Sequence, residues 1–381
     1  MSTELETAIA KLNKSYGEEL FTFGNNIPKV TAKIPFSSPR ANYMTYGGIP
    51  IGRLIEFAGE EGSGKTTTAL DIVAHAQIYF QQEYDRIVAE FENGKSNKSK
   101  QLKQQEIINK GPKKVLYVDA ENTIDEDWAV LLGVQIDNVI FYKPQNQCAE
   151  EIFEDIMNLI STGELGLVVL DSLGCLVSQQ AYAKTIEEKT YGGIAMALTL
   201  FARKAAPACA KYDCTFIGIN QVRDNLNSPY GGVVTTGGRG WKHECSLRIM
   251  FKKGKFIDEN CDEIKNSSES PFGNRVLMTI EKTKCFKPDR RAGFYTLSYY
   301  DGIMAVDDLF EIAMMCGIIN KAGAWFTFVN VDTGELFADE DGEIIKAHGR
   351  PNALKILDED VSIREYIDVK VASLIEGKSD L

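Results

Sequence analysis

Residues Leu54–Thr68 read LIEFAGEEGSGKTTT, and the fold turns on them. LIEFA is a short apolar run of strand character. GEEGSGKT (Gly59–Thr66) then fits G-x-x-x-x-G-K-[ST], and helical spacing follows. Strand, glycine loop and helix in that order are the context this motif requires. Glycines let the backbone wrap a chain of phosphates, and amides at a helix start offer an anion site. The loop Gly59, Glu60, Glu61, Gly62, Ser63, Gly64, with Lys65, Thr66 and Thr67, is therefore read as a nucleoside triphosphate site. Lys65 is expected to reach the β- and γ-phosphates of ATP, and Thr66 to ligate Mg²⁺. A ligand-free glycine turn is the bland alternative, and the flanking strand and helix argue against it.

Outward from this loop the chain alternates strand and helix. Strands are expected at Leu54–Ala58, Val115–Asp119, Val139–Lys143, Leu167–Asp171 and Thr215–Asn220, with helices at Gly64–Phe91, Glu126–Leu132, Ala149–Ser161 and Gly193–Lys211. The strands are nearly continuous apolar runs, as in a parallel sheet covered on both faces. SLRIMFKKG, RVLMTIEKTK and GFYTLSYY lack long helices between them, so the sheet is expected to finish antiparallel. Before the core, Leu5, Ala8, Ile9, Leu12, Tyr16 and Leu20 recur at helical spacing, and an extended proline-bearing arm follows. This helix and arm suit packing on the core or docking on a neighbouring subunit. Residues 81–114 are highly polar and break at Asn93–Ser99, which reads as a helical hairpin or a mobile excursion. Their lysines 95, 98, 100 and 103 read as a solvated face. The expected organisation is an N-terminal oligomerisation helix and arm (1–38), an ATPase core (39–304, with 81–114 inserted) and a small α+β domain (305–381).

Bulk properties narrow the class. The chain has 381 residues, 44% apolar and 25% charged, with no run of apolar residues long enough for a membrane span. Its start is amphipathic and acidic, unlike a secretory signal, so a cytoplasmic protein is expected. The eight cysteines form no CxxC pair and sit in apolar contexts, as reduced buried thiols do. A net charge of −12 argues mildly against a uniform nucleic-acid coat but leaves room for a local basic site.

Three further strand ends carry chemistry. LVVLDS (Leu167–Ser172) ends in Asp171, suited to organising Mg²⁺ beside Thr66. VLYVDAEN (Val115–Asn122) supplies Glu121, either a base for the attacking water or a helix N-terminal acid favoured by the macrodipole. CTFIGINQ ends in Asn220 and Gln221, whose amides suit sensing a γ-phosphate or satisfying a turn.

The order of these motifs resembles the bacterial RecA-type recombinases, as a divergent member, and leaves open a viral rather than a cellular gene. The matching stretches are GGIPIGRLIEFAGEEGSGKTT, VLYVDAENTID, LLGVQIDNVIFYKP, LVVLDSL, ALTLFARKAAPACAK, FIGINQVR, TTGG, EKTK, YYDGI and KAGAWFTF. The resemblance implies an α/β fold: a RecA-like P-loop ATPase core with a mainly parallel sheet, an N-terminal helix and arm, and a small C-terminal domain. It implies ATP and Mg²⁺ as cofactors and a homo-oligomeric helical filament on single-stranded DNA that pairs with a homologous duplex. Mediator and single-strand-binding proteins are implied partners, and no membrane is.

By the same resemblance Glu121 is the water-activating glutamate and Gln221 the γ-phosphate sensor. Trp128 stacks on adenine, with Asp125 and Tyr300 beside the nucleotide. Lys282 and Lys284 reach across the interface to the neighbour's nucleotide; read from the residues alone they are two solvent-facing lysines at strand spacing. Residues 178–193 correspond to a first DNA loop and 220–242 to a second. Arg203, Arg223, Thr235, Thr236, Gly237, Gly238, Arg239 and Lys242 suit phosphate contacts, and Tyr230 suits stacking on a base.

Departures from the family pattern are the insertion 81–114, Met196 where an arginine is usual, His243 where an aromatic residue is usual, and an ending, IEGKSDL, without an acidic tail. Lack of such a tail predicts less restrained DNA binding. A ring-forming DNA helicase on the same core and a filament-forming paralogue that hydrolyses little are the competing readings. TTGG and KAGAW speak against the first; Glu121, Asp171, Lys282 and Lys284 speak against the second.

Overall fold

The structure is a computed structural model that describes residues 4–16, 20–22, 32–94, 98–183, 193–224, 233–265 and 270–377. Residues up to Ala32 form one unit and Lys33 onward another. In the first, helix α1 (Glu4–Tyr16) carries the amphipathic spacing, and its Asn13 amide bonds both the carbonyl and the N–H of Phe21 at 2.8 Å.

The second unit opens with a ribbon of β1 (Lys33–Ile34) and β2 (Ile49–Pro50) around helix α2 (Pro39–Thr45). Its main sheet contains β3 (Leu54–Gly59), β4 (Lys114–Asp119), β5 (Val139–Tyr142), β6 (Leu165–Asp171), β7 (Thr215–Asp224), β8 (Val233–Thr235), β9 (Leu247–Ile257), β10 (Gly273–Thr283), β11 (Ala292–Ser298) and β12 (Gly302–Ile303). The order is β12-β11-β10-β9-β3-β7-β6-β4-β5, with β8 paired to β7 outside that path. From β9 to β5 all neighbours run parallel; β10, β11 and β12 are added antiparallel. The mainly parallel α/β core expected from the apolar strand runs is thus what forms.

Strand β3 is buried along its whole length, because helices lie on both of its faces. Successive side chains alternate between those faces. Ile55 and Phe57 join a core with helix α3 (Lys65–Glu92), while Leu54 joins the opposite core with α6 (Ala149–Ser161) and α8 (Gly193–Tyr212), which the single turn α7 (Gln179–Tyr182) precedes. In that second core Phe153 stacks on Phe201 at 4.4 Å, Phe201 meets Phe216 edge-on, and Phe216 meets Trp241 edge-on.

Helix α3 runs 28 residues, far past the core, and α4 (Lys98–Lys110) returns against it. Of the two readings for residues 81–114, the helical hairpin is the one observed. Arg86 and Lys100 both pair with Glu90, and Gln104 is buried between the two helices. Residues after Met304 build helix α10 (Ala305–Met315), β13 (Ile319–Ala322), β14 (Trp325–Asn330), β15 (Glu335–Leu336), β16 (Lys346–His348), α11 (Arg350–Glu359) and α12 (Val361–Ile375) around Phe310, Phe326, Phe328 and Leu357. Among the described residues no helix is long and apolar enough to cross a membrane.

Candidate active site

Strand register collects the functional residues at one sheet edge. Gly59 stands opposite Gln221, and Asp119 opposite Asp171, so the carboxyl ends of β3, β6 and β4 gather beside Gln221 on β7. Open parallel sheets bind ligands at that edge.

The phosphate loop is shaped by two left-handed glycines, Gly62 (φ 67°) and Gly64 (φ 93°). A side chain at Gly64 would press on Val276 and the Tyr295 hydroxyl about 3 Å away, so only glycine fits this approach. Gly64 is the N-cap of α3 and has no side chain to cap it, which leaves first-turn amides for an anion. Ser63 Oγ donates to the Glu60 carbonyl at 2.7 Å and shapes the turn. Lys65 is buried, with Nζ donating to that same carbonyl at 2.6 Å. Burial lowers its pKa, opposed by the charges of Asp171 and Glu121. An ammonium held on one carbonyl beside two carboxylates is ready to exchange that partner for phosphate oxygens.

Thr66 Oγ1 donates to Asp171 Oδ2 at 2.8 Å, and the Tyr117 hydroxyl donates to the same oxygen at 3.0 Å. Burial raises the Asp171 pKa while those two donors oppose the rise. A hydroxyl beside a carboxylate matches the oxygen donors that a hard divalent cation takes. Among the described residues no cluster of three His, Cys, Asp or Glu side chains forms a metal cage. A Mg²⁺ held largely by nucleotide phosphates and water needs no such cage.

Glu121 lies on the loop after β4. Its Oε1 accepts from the Ser172 hydroxyl and, at 3.1 Å, from Gln221 Nε2. Asp119 is buried and accepts from the amides of Thr123 and Ile124, so it shapes that loop. The helix-terminus alternative for Glu121 fits Asp125 instead, whose carboxylate caps α5 (Glu126–Leu131) by accepting from Trp128 N at 3.0 Å. Trp128 is half-buried, and its indole N–H donates to Thr67 Oγ1 at 3.3 Å, fixing the ring beside the first turn of α3. Tyr300 is exposed and stacks on Phe272. Its turn approaches α5 through Gly302, where any side chain would meet Leu132.

The loop residues divide. Strand β7 runs to Asp224, four residues beyond the expected end, and pairs antiparallel with β8, placing Arg223 opposite Val234 and Val222 opposite Thr235. Tyr230 lies outside the described residues, as does the stretch 184–192 of the first loop. Arg203, Arg223 and Arg239 are exposed, whereas Thr235 is buried and Lys242 is half-buried. The carbonyl of Thr236 accepts from Asn220 Nδ2 at 2.9 Å. Gly237 (φ 96°) precedes helix α9 (Gly238–Glu244) and leaves no room for a side chain against Leu198. Lys282 Nζ donates to the carbonyls of Lys242 and His243, and Lys284 Nζ to that of His243, so both lysines hold the C-terminal end of α9. Met196 and His243 are exposed.

Residue reading missed Tyr117, Ser172 and Glu56. Tyr117 lies two residues before Asp119 and Ser172 directly follows Asp171, and a hydroxyl in or just after an otherwise apolar strand is the only signal they offer. Glu56 stood in the opening strand as a charge between buried neighbours.

A family description, RecA N-terminal domain, matches residues 3–83 and 85–304. Protein RecA of Streptomyces coelicolor is 28% identical over 370 residues, covering 96% of this chain and 84% of the relative. Protein RecA of Chloroherpeton thalassium is 27% identical over 388 residues, covering 99% and 92%. Protein RecA of Fusobacterium nucleatum is 29% identical over 334 residues, covering 87% and 77%.

Proposed function

We propose that this chain, which belongs to the RecA family, is an ATP-dependent recombinase that polymerises on single-stranded DNA and promotes homologous pairing and strand exchange. The observation that carries the reading is the convergence of Lys65, Thr66, Asp171, Glu121 and Gln221 at one sheet edge, with Gln221 at the root of the glycine-rich loop.

In this reading Gly62, Ser63 and Gly64 cradle the triphosphate with their amides, and Lys65 leaves the Glu60 carbonyl for the β- and γ-phosphates. Thr66 and Asp171 hold Mg²⁺, which supplies charge neutralisation on the phosphates when bound. Among the described residues both donors to Glu121 fall on Oε1, and Oε2 is the oxygen that orients the attacking water and takes its proton. The water oxygen bonds the γ-phosphorus as the bond to the leaving ADP oxygen breaks. Trp128 supplies an aromatic face for adenine, with Asp125 holding its helix and Tyr300 on the adjoining turn. Lys282 and Lys284 act on the nucleotide of the next protomer, as arginine fingers do in trans.

Arg203, Arg223, Arg239 and Lys242, with Tyr230, grip the strand without reading sequence, and base pairing supplies specificity. Residues 1–38 form the oligomerisation helix and arm, 39–304 the ATPase core, and 305–381 a C-terminal domain.

The deciding experiment measures ATP hydrolysis with and without single-stranded DNA, alongside negative-stain imaging. DNA-stimulated turnover and helical filaments are expected. Closed rings that unwind forked duplexes would move the assignment to a helicase. Filaments with no turnover would move it to a non-hydrolysing paralogue.

A further inference from the structure

Glu56 carries a carboxylate in the middle of β3, fully buried. By alternation it faces the same side as Leu54, into the core that contains Trp241. An isolated carboxylate there would be costly, so its partners identify its task. Asn220 Nδ2 donates to Oε1 at 2.8 Å, the Trp241 indole N–H donates to Oε1 at 2.9 Å, and Arg248 Nε donates to Oε2.

Each donor stands on an element that meets a different part of the molecule. Asn220 precedes Gln221 on β7, and its amide also bonds the Thr236 carbonyl at 2.9 Å. Trp241 is wholly buried on α9, between Arg239 and Lys242. Arg248 lies on β9, opposite Glu56 in parallel register. Three residues after Glu56, the same strand becomes the phosphate loop at Gly59. One carboxylate thus joins the strand feeding the phosphate loop, the strand carrying Gln221 and the helix behind TTGG. Trp241 also packs against Gly218: a side chain there would meet Leu173 and the indole at just under 3 Å. Helix α9 therefore cannot shift without moving the ring.

We infer that Glu56 and Trp241 are positioning residues that transmit nucleotide state from the phosphate edge to the DNA loop, the indole-to-carboxylate bond fixing α9 to β3. This inference rests on the recombinase reading and specifies its internal coupling. Both oxygens of the buried Glu56 carboxylate are held by donors, and Asn220 bonds Glu56 and Thr236 at once, so displacement of Gln221 by a γ-phosphate is passed on through Asn220 rather than absorbed.

The test uses Trp241→Phe, which keeps a ring and removes the donor, and Glu56→Gln, which keeps the side-chain length and removes the charge. Both are checked for cooperative thermal unfolding and for affinity toward a fluorescent ATP analogue. The readout is the factor by which a non-hydrolysable ATP analogue raises affinity for a single-stranded oligonucleotide. Coupled sites usually show about 5–150-fold effects. Wild-type protein is expected in that range, and folded Trp241→Phe, with nucleotide affinity retained, is expected within about twofold of no effect on the same scale. The double variant should add little to either single change, since both cut one connection. Variants that lose stability yet keep the wild-type factor would overturn the inference alone. Wild-type protein with no nucleotide-dependent DNA affinity would overturn the recombinase reading together with it. Should Glu56→Gln not fold, Trp241→Phe carries the test, and its unchanged factor is sufficient to reject the inference.

Discussion

Gln221 Nε2 donates a 3.1 Å hydrogen bond to Glu121 Oε1, joining the root of the proposed DNA loop to the carboxylate proposed to position the attacking water. One amide thus contacts the carboxylate proposed to activate water and lies on a strand whose far end pairs with β8. Gln221→Ala is expected to leave ATP binding largely intact while removing the dependence of DNA affinity on ATP. Titration of labelled single strand with and without an ATP analogue checks this. A persistent ATP-driven rise in that variant would refute the sensor role. Glu121→Gln separates the other partner: it retains an acceptor for Gln221 but loses the base. Turnover should fall about 10²–10⁴-fold, the usual contribution of a positioned general base, with nucleotide binding retained.

Lys65 is the residue whose present hydrogen bond to the Glu60 carbonyl a triphosphate would replace. Lys65→Ala is expected to abolish ATP turnover and to weaken nucleotide binding, both measured on the full chain. An unchanged DNA-dependent rate would remove the phosphate-site assignment, however well the loop matches its motif.

These expectations rest on parts of the molecule that were unequally legible in the sequence. Strong local signals read well: Ala149–Ser161 forms the expected helix, and LIEFAG forms a buried strand entering a glycine loop. The end of β7 was misplaced because Asn220 and Gln221 look like punctuation. Ribbon pairing with Val233–Thr235 instead carries the strand to Asp224. Glu56 was invisible for a different reason. A charge in an apolar strand has no local explanation when its donors are 164, 185 and 192 residues away. The lysines of TIEKTK read as solvent-facing at strand spacing, and helix α9, whose end they hold, is too short to announce itself by periodicity.

Asp308 gives a pH test of how the C-terminal elements join the core. It is fully buried and accepts from the Thr296 amide at 3.0 Å, and burial pushes its pKa up to about 7. Nearby guanidinium charge is committed to Asp307, which pairs with Arg275 and Arg350. In the unfolded chain Asp308 would titrate near 3.8, the ordinary value for its carboxyl. The folded state therefore retains a proton that the unfolded state releases. The resulting stabilisation is complete below the unfolded value and is lost as pH rises through about 7. Asp308→Asn keeps an acceptor for Thr296 and removes this titration. Relative to wild type, its melting temperature should rise from pH 5 to pH 8. A difference that stays constant across that range would show that Asp308 does not carry the proton.

Lys282 and Lys284 present two roles whose magnitudes differ enough to be separated. Within one chain their ammonium groups hold the last carbonyls of α9, at 2.6–2.9 Å. Charge at a helix C-terminus contributes about 0.3–1 kcal/mol, so loss of either lysine as a cap should lower the melting temperature only slightly. As donors to a neighbour's nucleotide they would contribute about 10³–10⁵-fold in turnover, the range of arginine fingers. Lys282→Ala/Lys284→Ala is therefore expected to fold, to bind ATP, and to lose DNA-stimulated hydrolysis by a factor in that range. A cap alone cannot produce such a loss. Mixing this variant with Lys65→Ala protein tests the geometry directly. Where a Lys65→Ala subunit lends its intact lysine pair to a neighbour with an intact phosphate loop, that interface is complete, and the mixture should recover part of the activity both parents lack. Absence of recovery, with mixed filaments visible by electron microscopy, would place the lysines' action within their own subunit and leave capping of α9 as their function.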